Sequence, residues 1–117
     1  MFTLYHNSHC SKSNCALDYL EKENIPYQLV DILKNPLTRT DLKILKDKLT
    51  NASTEMIRKS DPLFQEEFAS LELSEEEMLV ILEANPELLQ RPIIEFEETA
   101  MIGRPFDTFK EFVERNR

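Results

Sequence analysis

Hydrophobic positions along the chain fall into short alternating runs at both ends and helical spacings between them. FTLY at 2–5 is a short run of strand formers, followed by the polar loop HNSHC. Ala16, Leu17 and Leu20 then recur at helical spacing, with Asp18, Glu21 and Lys22 between them, so Ser11 to Glu23 reads as a helix. ENIPY ends it, because proline disfavours helical geometry in the residue before it. YQLVDI at 27–32 is a second strand. Strand, helix and strand over about thirty residues predict a right-handed βαβ unit.

The middle of the chain reads as all-helical. Thr38 and Asp41 stand at capping-box spacing, with Leu42, Leu45 and Leu49 forming a stripe behind them. Thr54 to Leu71 carries Met56, Ile57, Leu63, Phe64 and Phe68, interrupted by SDP at 60–62. Ser74 and Glu77 announce another helix before MLVIL, which stops at NPELL. PIIEF, EE and TAMIG then read as a β-hairpin. RPFDTFKEFVERNR closes as a helix with Phe109, Phe112 and Val113 inward. The order βαβ, helices, ββα predicts one α/β domain over 1–117, with a four-stranded mixed sheet and a helical insertion at about 38–88. That order is similar to a thioredoxin-like arrangement.

Composition narrows the function. With 22 acidic and 14 basic residues the net charge is −8, which repels duplex nucleic acid and argues against such a partner. An anionic substrate would be repelled at long range too, so any anion site must be made locally from converging arginines. No apolar run reaches the roughly 20 residues that span a bilayer, and MFTLYHNS is too short and polar for a signal peptide. We expect a cytoplasmic protein, with no membrane partner, in which thiols stay reduced.

All of the chain's cysteine and histidine lies in HNSHCSKSNC, residues 6–15. Cysteine attacks as thiolate, and its ordinary pKa of about 8.5 leaves it mostly protonated at neutral pH. Cys10 falls where loop passes into helix, so the amides of Ser11, Lys12 and Ser13 could stabilise a thiolate there. His6, Lys12 and Ser13 could add charge or hydrogen bonds. Position alone leaves a buried inert cysteine equally open. Cys15 would lie about 8–9 Å from Cys10 between Cα atoms on an ideal helix, beyond the reach of about 7 Å for a relaxed disulfide. An inert helix thiol is the reading preferred for it. His6, His9, Cys10 and Cys15 are zinc-ligand types, but HxxHCxxxxC matches no usual ligand spacing, so we expect no metal site.

Three arginines stand out by context: Arg58 in MIRK, Arg91 in RPI and Arg104 in GRP. The last two flank the hairpin, each before a proline, and should lie near each other. Planar guanidinium forks suit tetrahedral oxyanions. Solvated surface arginine is the alternative.

HNSHCSKS together with these arginines, in this order and spacing, resembles the glutaredoxin-coupled arsenate reductases, the ArsC family. The resemblance runs from Leu4 to about Phe112. It implies a Cys10 nucleophile that forms an arsenate adduct, with Arg58, Arg91 and Arg104 holding the oxyanion and lowering the cysteine pKa. It also implies that His6 supports the thiolate, that Ser13 hydrogen-bonds the sulfur, and that Pro92 is the cis-proline facing the cysteine. Glutathione would attack the adduct as co-substrate, glutaredoxin would reduce the mixed species, and no cofactor would be bound. Four positions depart from the family pattern: Ser8 replaces a proline, His9 occupies a variable position, Asn14 replaces an arginine, and Cys15 is extra. Two alternatives follow from the same fold. One is a glutathione-linked thiol-disulfide or deglutathionylation protein. The other is an Spx-like redox regulator binding RNA polymerase, whose branch carries CxxC where this chain has Ser13.

Overall fold

A computed structural model describes all residues from Met1 to Arg117. Its centre is a four-stranded sheet in the order β2-β1-β3-β4. β1 (Phe2–His6) pairs in parallel with β2 (Tyr27–Asp31), and antiparallel with β3 (Ile93–Phe96), which forms a hairpin with β4 (Thr99–Ile102). The turn of that hairpin places Glu97 at φ 53, a left-handed conformation that tight turns demand. This is the mixed thioredoxin-like sheet expected from the sequence.

Alternation along the strands divides the core in two. On one face Phe2, Leu4 and Ile94 pack with Ala16 and Leu20 of α1 (Ser11–Lys22) and Phe109, Phe112 and Val113 of α5 (Phe106–Asn116). On the other, Ile93, Ala100 and Ile102 meet Leu42 and Leu45 of α2 (Arg39–Lys48) and Leu79 and Leu82 of α4 (Glu75–Ala84). Both expected capping boxes form: Thr38 with Asp41, and Ser74 with Glu77. Each satisfies two amides that the helix itself leaves unpaired.

The segment between them departs from the helical expectation. Ser53–Met56 is one turn of 3-10 helix, and Ile57 forms an isolated antiparallel bridge with Leu89. Only α3 (Pro62–Glu67) is α-helical there. The SDP at 60–62 starts this helix rather than interrupting one: Asp61 accepts from the Leu63 amide, and Pro62 takes the first turn, where no amide partner is needed. Met56 ends the 3-10 turn and Ile57 is extended; both are buried against the core, while the Met56 carbonyl accepts from the Gln90 amide and the Arg58 amide donates to the Leu88 carbonyl.

Residues 49–51 lie along β4. Leu49 bridges Ala100, the Thr50 amide donates to the Ala100 carbonyl at 3.0 Å, and Asn51 accepts from the Ile102 amide at 2.8 Å. An edge that would otherwise present free main-chain groups is thereby covered. Gly103, the chain's single glycine, follows at a close approach: a Cβ there would stand 3.0 Å from Phe109 and 3.2 Å from the Pro92 ring.

Two substitutions measure these devices. Phe109→Ala empties a fully buried site and should cost about 3–5 kcal/mol. Ser74→Ala should cost about 1 kcal/mol through the lost cap. Urea unfolding of both, with the order reversed, would contradict the packing described.

Candidate functional site

Cys10 is the N-cap of α1, with extended dihedrals (φ −104, ψ 119), so the first free amides of the helix face its side chain. The loop before it is tied internally. The Asn7 carbonyl accepts from the Cys10 amide at 3.0 Å, its side chain accepts from the His9 amide at 2.9 Å, and its own amide reaches the Ser13 hydroxyl at 3.4 Å. Asn7 is 3% exposed, and no local pattern announces its role. The Asn14 side chain donates to the Ser8 carbonyl at 3.1 Å, closing the loop.

The Cys10 thiol ionises below the ordinary thiol range. Partial burial opposes this, being the largest single influence, but the Ser13 amide, the Arg91 guanidinium and the Lys12 amide together outweigh it. Ser13 thus acts on the sulfur through its main chain, while its buried hydroxyl serves Asn7.

His6 ends β1 and is 3% exposed, with Nδ1 buried and without a partner. Burial holds its pKa below the usual histidine range, opposed by Asp31 and a Ser13 main-chain hydrogen bond. It is therefore held toward the neutral form, beside the first turn of α1.

The three arginines arrive from separate parts of the chain and meet. Residues 56–58 and 88–90 are joined by the Ile57–Leu89 bridge, the Arg58 amide donating to the Leu88 carbonyl at 2.7 Å and the Gln90 amide to Met56 at 2.6 Å. This brings Arg58 beside Arg91. Arg91 and Arg104 emerge at the two ends of the hairpin, where Ile93 pairs with Ile102, and both Arg91–Pro92 and Arg104–Pro105 are cis. The second cis bond carries no signal in the sequence beyond the proline itself. Burial lowers the Arg58 pKa, Arg91 and Arg104 add to that as neighbouring cations, and Asp61 and Cys10 oppose it. Arg58, Arg91, Arg104 and Cys10 thus share one electrostatic neighbourhood.

Each guanidinium is anchored by one Nη1: Arg91 to the Glu87 carbonyl at 2.6 Å, Arg104 to Gln90 Oε1 at 2.9 Å, and Arg58 to Asp61 at 3.4 Å. All three Nε atoms are buried without an acceptor. A buried donor left unpaired costs about 1–3 kcal/mol, and more when charged. Arg58, Arg91 and Arg104 thus carry three buried, unpaired Nε–H donors within one electrostatic neighbourhood. Cys15 is exposed and lies apart from this cluster, along a groove of about 480 Å³ with Lys12, Tyr19 and Phe106. No helix of the structure is long and apolar enough to cross a membrane.

Known proteins resemble this chain along nearly its whole length. The ArsC family model matches residues 5–112. The arsenate reductase of Neisseria meningitidis serogroup A is 34% identical over 109 residues, covering 92% of this chain and 93% of its own. The global transcriptional regulator Spx of Streptococcus pneumoniae is 31% identical over 117 residues, covering 99% and 88%. The solved structure of an arsenate reductase from Vibrio cholerae superposes with a TM-score of 0.86 at 30% identity, covering 94% and 95%.

The balance of forces on the sulfur gives a pH prediction. A lowered pKa means that thiolate persists to more acidic pH, so alkylation of Cys10 by iodoacetamide should rise with pH at a lower midpoint than for a free thiol. In Arg91→Met burial loses one of its opponents, and the midpoint should move upward. An unchanged midpoint in that variant would remove Arg91 from the thiolate's environment.

Proposed function

The chain is a member of the ArsC family, and from that premise we propose that it is a thiol-dependent oxidoreductase reducing arsenate through Cys10. The observation that carries this reading is the set of three buried, unpartnered Nε–H groups beside a thiol of lowered pKa. Arsenate is tetrahedral and offers the oxygens those donors lack. Arg58, Arg91 and Arg104 would also offset the repulsion between an anionic substrate and an anionic nucleophile, which in water would keep the two apart.

In this scheme the Cys10 thiolate forms a sulfur–arsenic bond, one arsenic–oxygen bond breaks, and the departing oxygen takes up protons and leaves as water. Glutathione adds to arsenic with loss of a second water. A glutaredoxin thiolate then takes the glutathione sulfur as a mixed disulfide and leaves its bonding electron pair on arsenic. Water finally cleaves the Cys10–arsenic bond to release arsenite and the free thiol. Two thiols lose two electrons in all, and arsenic gains them. The Ser13 and Lys12 amides hold the thiolate, neutral His6 supports the first turn of α1 beneath it, and Pro92 borders the pocket. No bound cofactor takes part.

Mass spectrometry of the chain with arsenate and glutathione should find an arsenic–glutathione adduct on Cys10. Cys10→Ser should abolish arsenate reduction and Cys15→Ser should retain most of it. Arg91→Met should lower kcat/KM by about 10²–10³-fold, as loss of an oxyanion donor does elsewhere. Equal loss in Cys10→Ser and Cys15→Ser would exclude a single-cysteine nucleophile.

The similarity to Spx over 99% of the chain favours one second reading, a redox regulator that binds RNA polymerase. Recovery of RNA polymerase with a chain that reduces neither arsenate nor glutathionylated protein would replace the first reading with this one. Activity on glutathionylated protein alone would instead mark a deglutathionylation enzyme.

A further inference from the structure

The three guanidiniums are anchored by three different kinds of acceptor. Arg91 has a main-chain carbonyl, Arg58 has the carboxylate of Asp61, and Arg104 has the neutral amide oxygen of Gln90. Gln90 does more than hold Arg104. Its Oε1 also accepts from the Arg91 amide at 3.4 Å, and its own amide donates to the Met56 carbonyl at 2.6 Å. It therefore touches all three segments that deliver the arginines.

Charge explains why an amide suits this place. Set against three guanidiniums, Asp61 and the Cys10 thiolate leave the pocket one net positive charge. A glutamate at 90 would have almost the same shape and would accept from Arg104 more strongly, since charge-assisted hydrogen bonds exceed neutral ones. It would also cancel the remaining charge and put a second carboxylate among the arginines, where an incoming oxyanion would be repelled. A methionine of similar length would keep the charge but release Arg104.

We infer that Gln90 is a positioning residue of the oxyanion site, tethering Arg104 through a neutral acceptor so that the guanidinium keeps its charge for the bound anion. This rests on the oxyanion reading of the arginine cluster. It adds a rule of selection: the tether must accept a hydrogen bond and must carry no charge.

The test uses the full chain, sulfate as a non-reacting probe, and the arginine Nε–H resonances as the readout, with arsenate kinetics beside them. In wild type, sulfate should shift the Nε–H signals of all three arginines. Gln90→Glu should retain an ordered Arg104 signal yet bind sulfate about tenfold more weakly, a loss of ~1.4 kcal/mol. Its KM for arsenate should rise by a larger factor than its kcat falls. Gln90→Met should lose the Arg104 response while that of Arg91 persists. A purely structural glutamine predicts the reverse for the isosteric change, so sulfate affinity within twofold of wild type in Gln90→Glu overturns the inference. If Gln90→Glu does not fold, a retained Arg104 response in Gln90→Met overturns it, and a lost one supports it. A wild-type chain that shows no sulfate response at any arginine overturns the oxyanion reading itself, a result distinct from wild type and Gln90→Glu responding alike.

Discussion

Like charges packed together with too few counter-charges are the constraint around which this molecule is arranged. Three guanidiniums converge beside one thiol, each tied down by a single nitrogen and each with a buried Nε–H left over. In the proposed reading the unfilled donors would receive an entering anion, and Arg91, after the Ser13 amide, lowers the pKa of the thiol. Arg91 would thus serve both binding and nucleophile activation. The net charge of −8 makes this local concentration of positive charge more pronounced.

The fold supplies the convergence by using elements of different kinds. The βαβ unit sets Cys10 at the mouth of α1, with the Asn7 loop holding its backbone. The hairpin brings its two flanking arginines together because paired strands must begin and end side by side. The third arginine comes from the insertion, and the two-residue bridge at Ile57 and Leu89 is what places it. Gly103 allows β4 to leave the sheet against the Pro92 ring and Phe109, so the hairpin's exit stays close to its entrance.

Much of this was legible in the sequence where local chemistry and periodicity coincide. The strands, α1, α2, α4 and α5 announce themselves by alternation, helical spacing and capping boxes, and the thioredoxin-like order follows from them. The segment around Met56 and Ile57 did not, because two adjacent apolar residues fit a helix or a buried extended strand equally well. Its partner is 32 residues away in Leu89, and no local signal reveals such a pairing. Within the site, the cysteine and arginines carry recognisable contexts. Asn7 and Gln90 do not: each acts through main-chain geometry and hydrogen bonds that exist only once the loop and the bridge have formed.

The bridge at Ile57 and Leu89 also separates two kinds of freedom. Between it and α4 the chain runs through α3 and the turn at Ala69 to Glu72, whose residues are exposed. Because the arginine's position is fixed before this stretch begins, residues can be added or lost along the turn with no lever acting on the pocket. The excursion is thus open to variation in length, and to whatever surface such variation presents, while the chemistry stays anchored at its root.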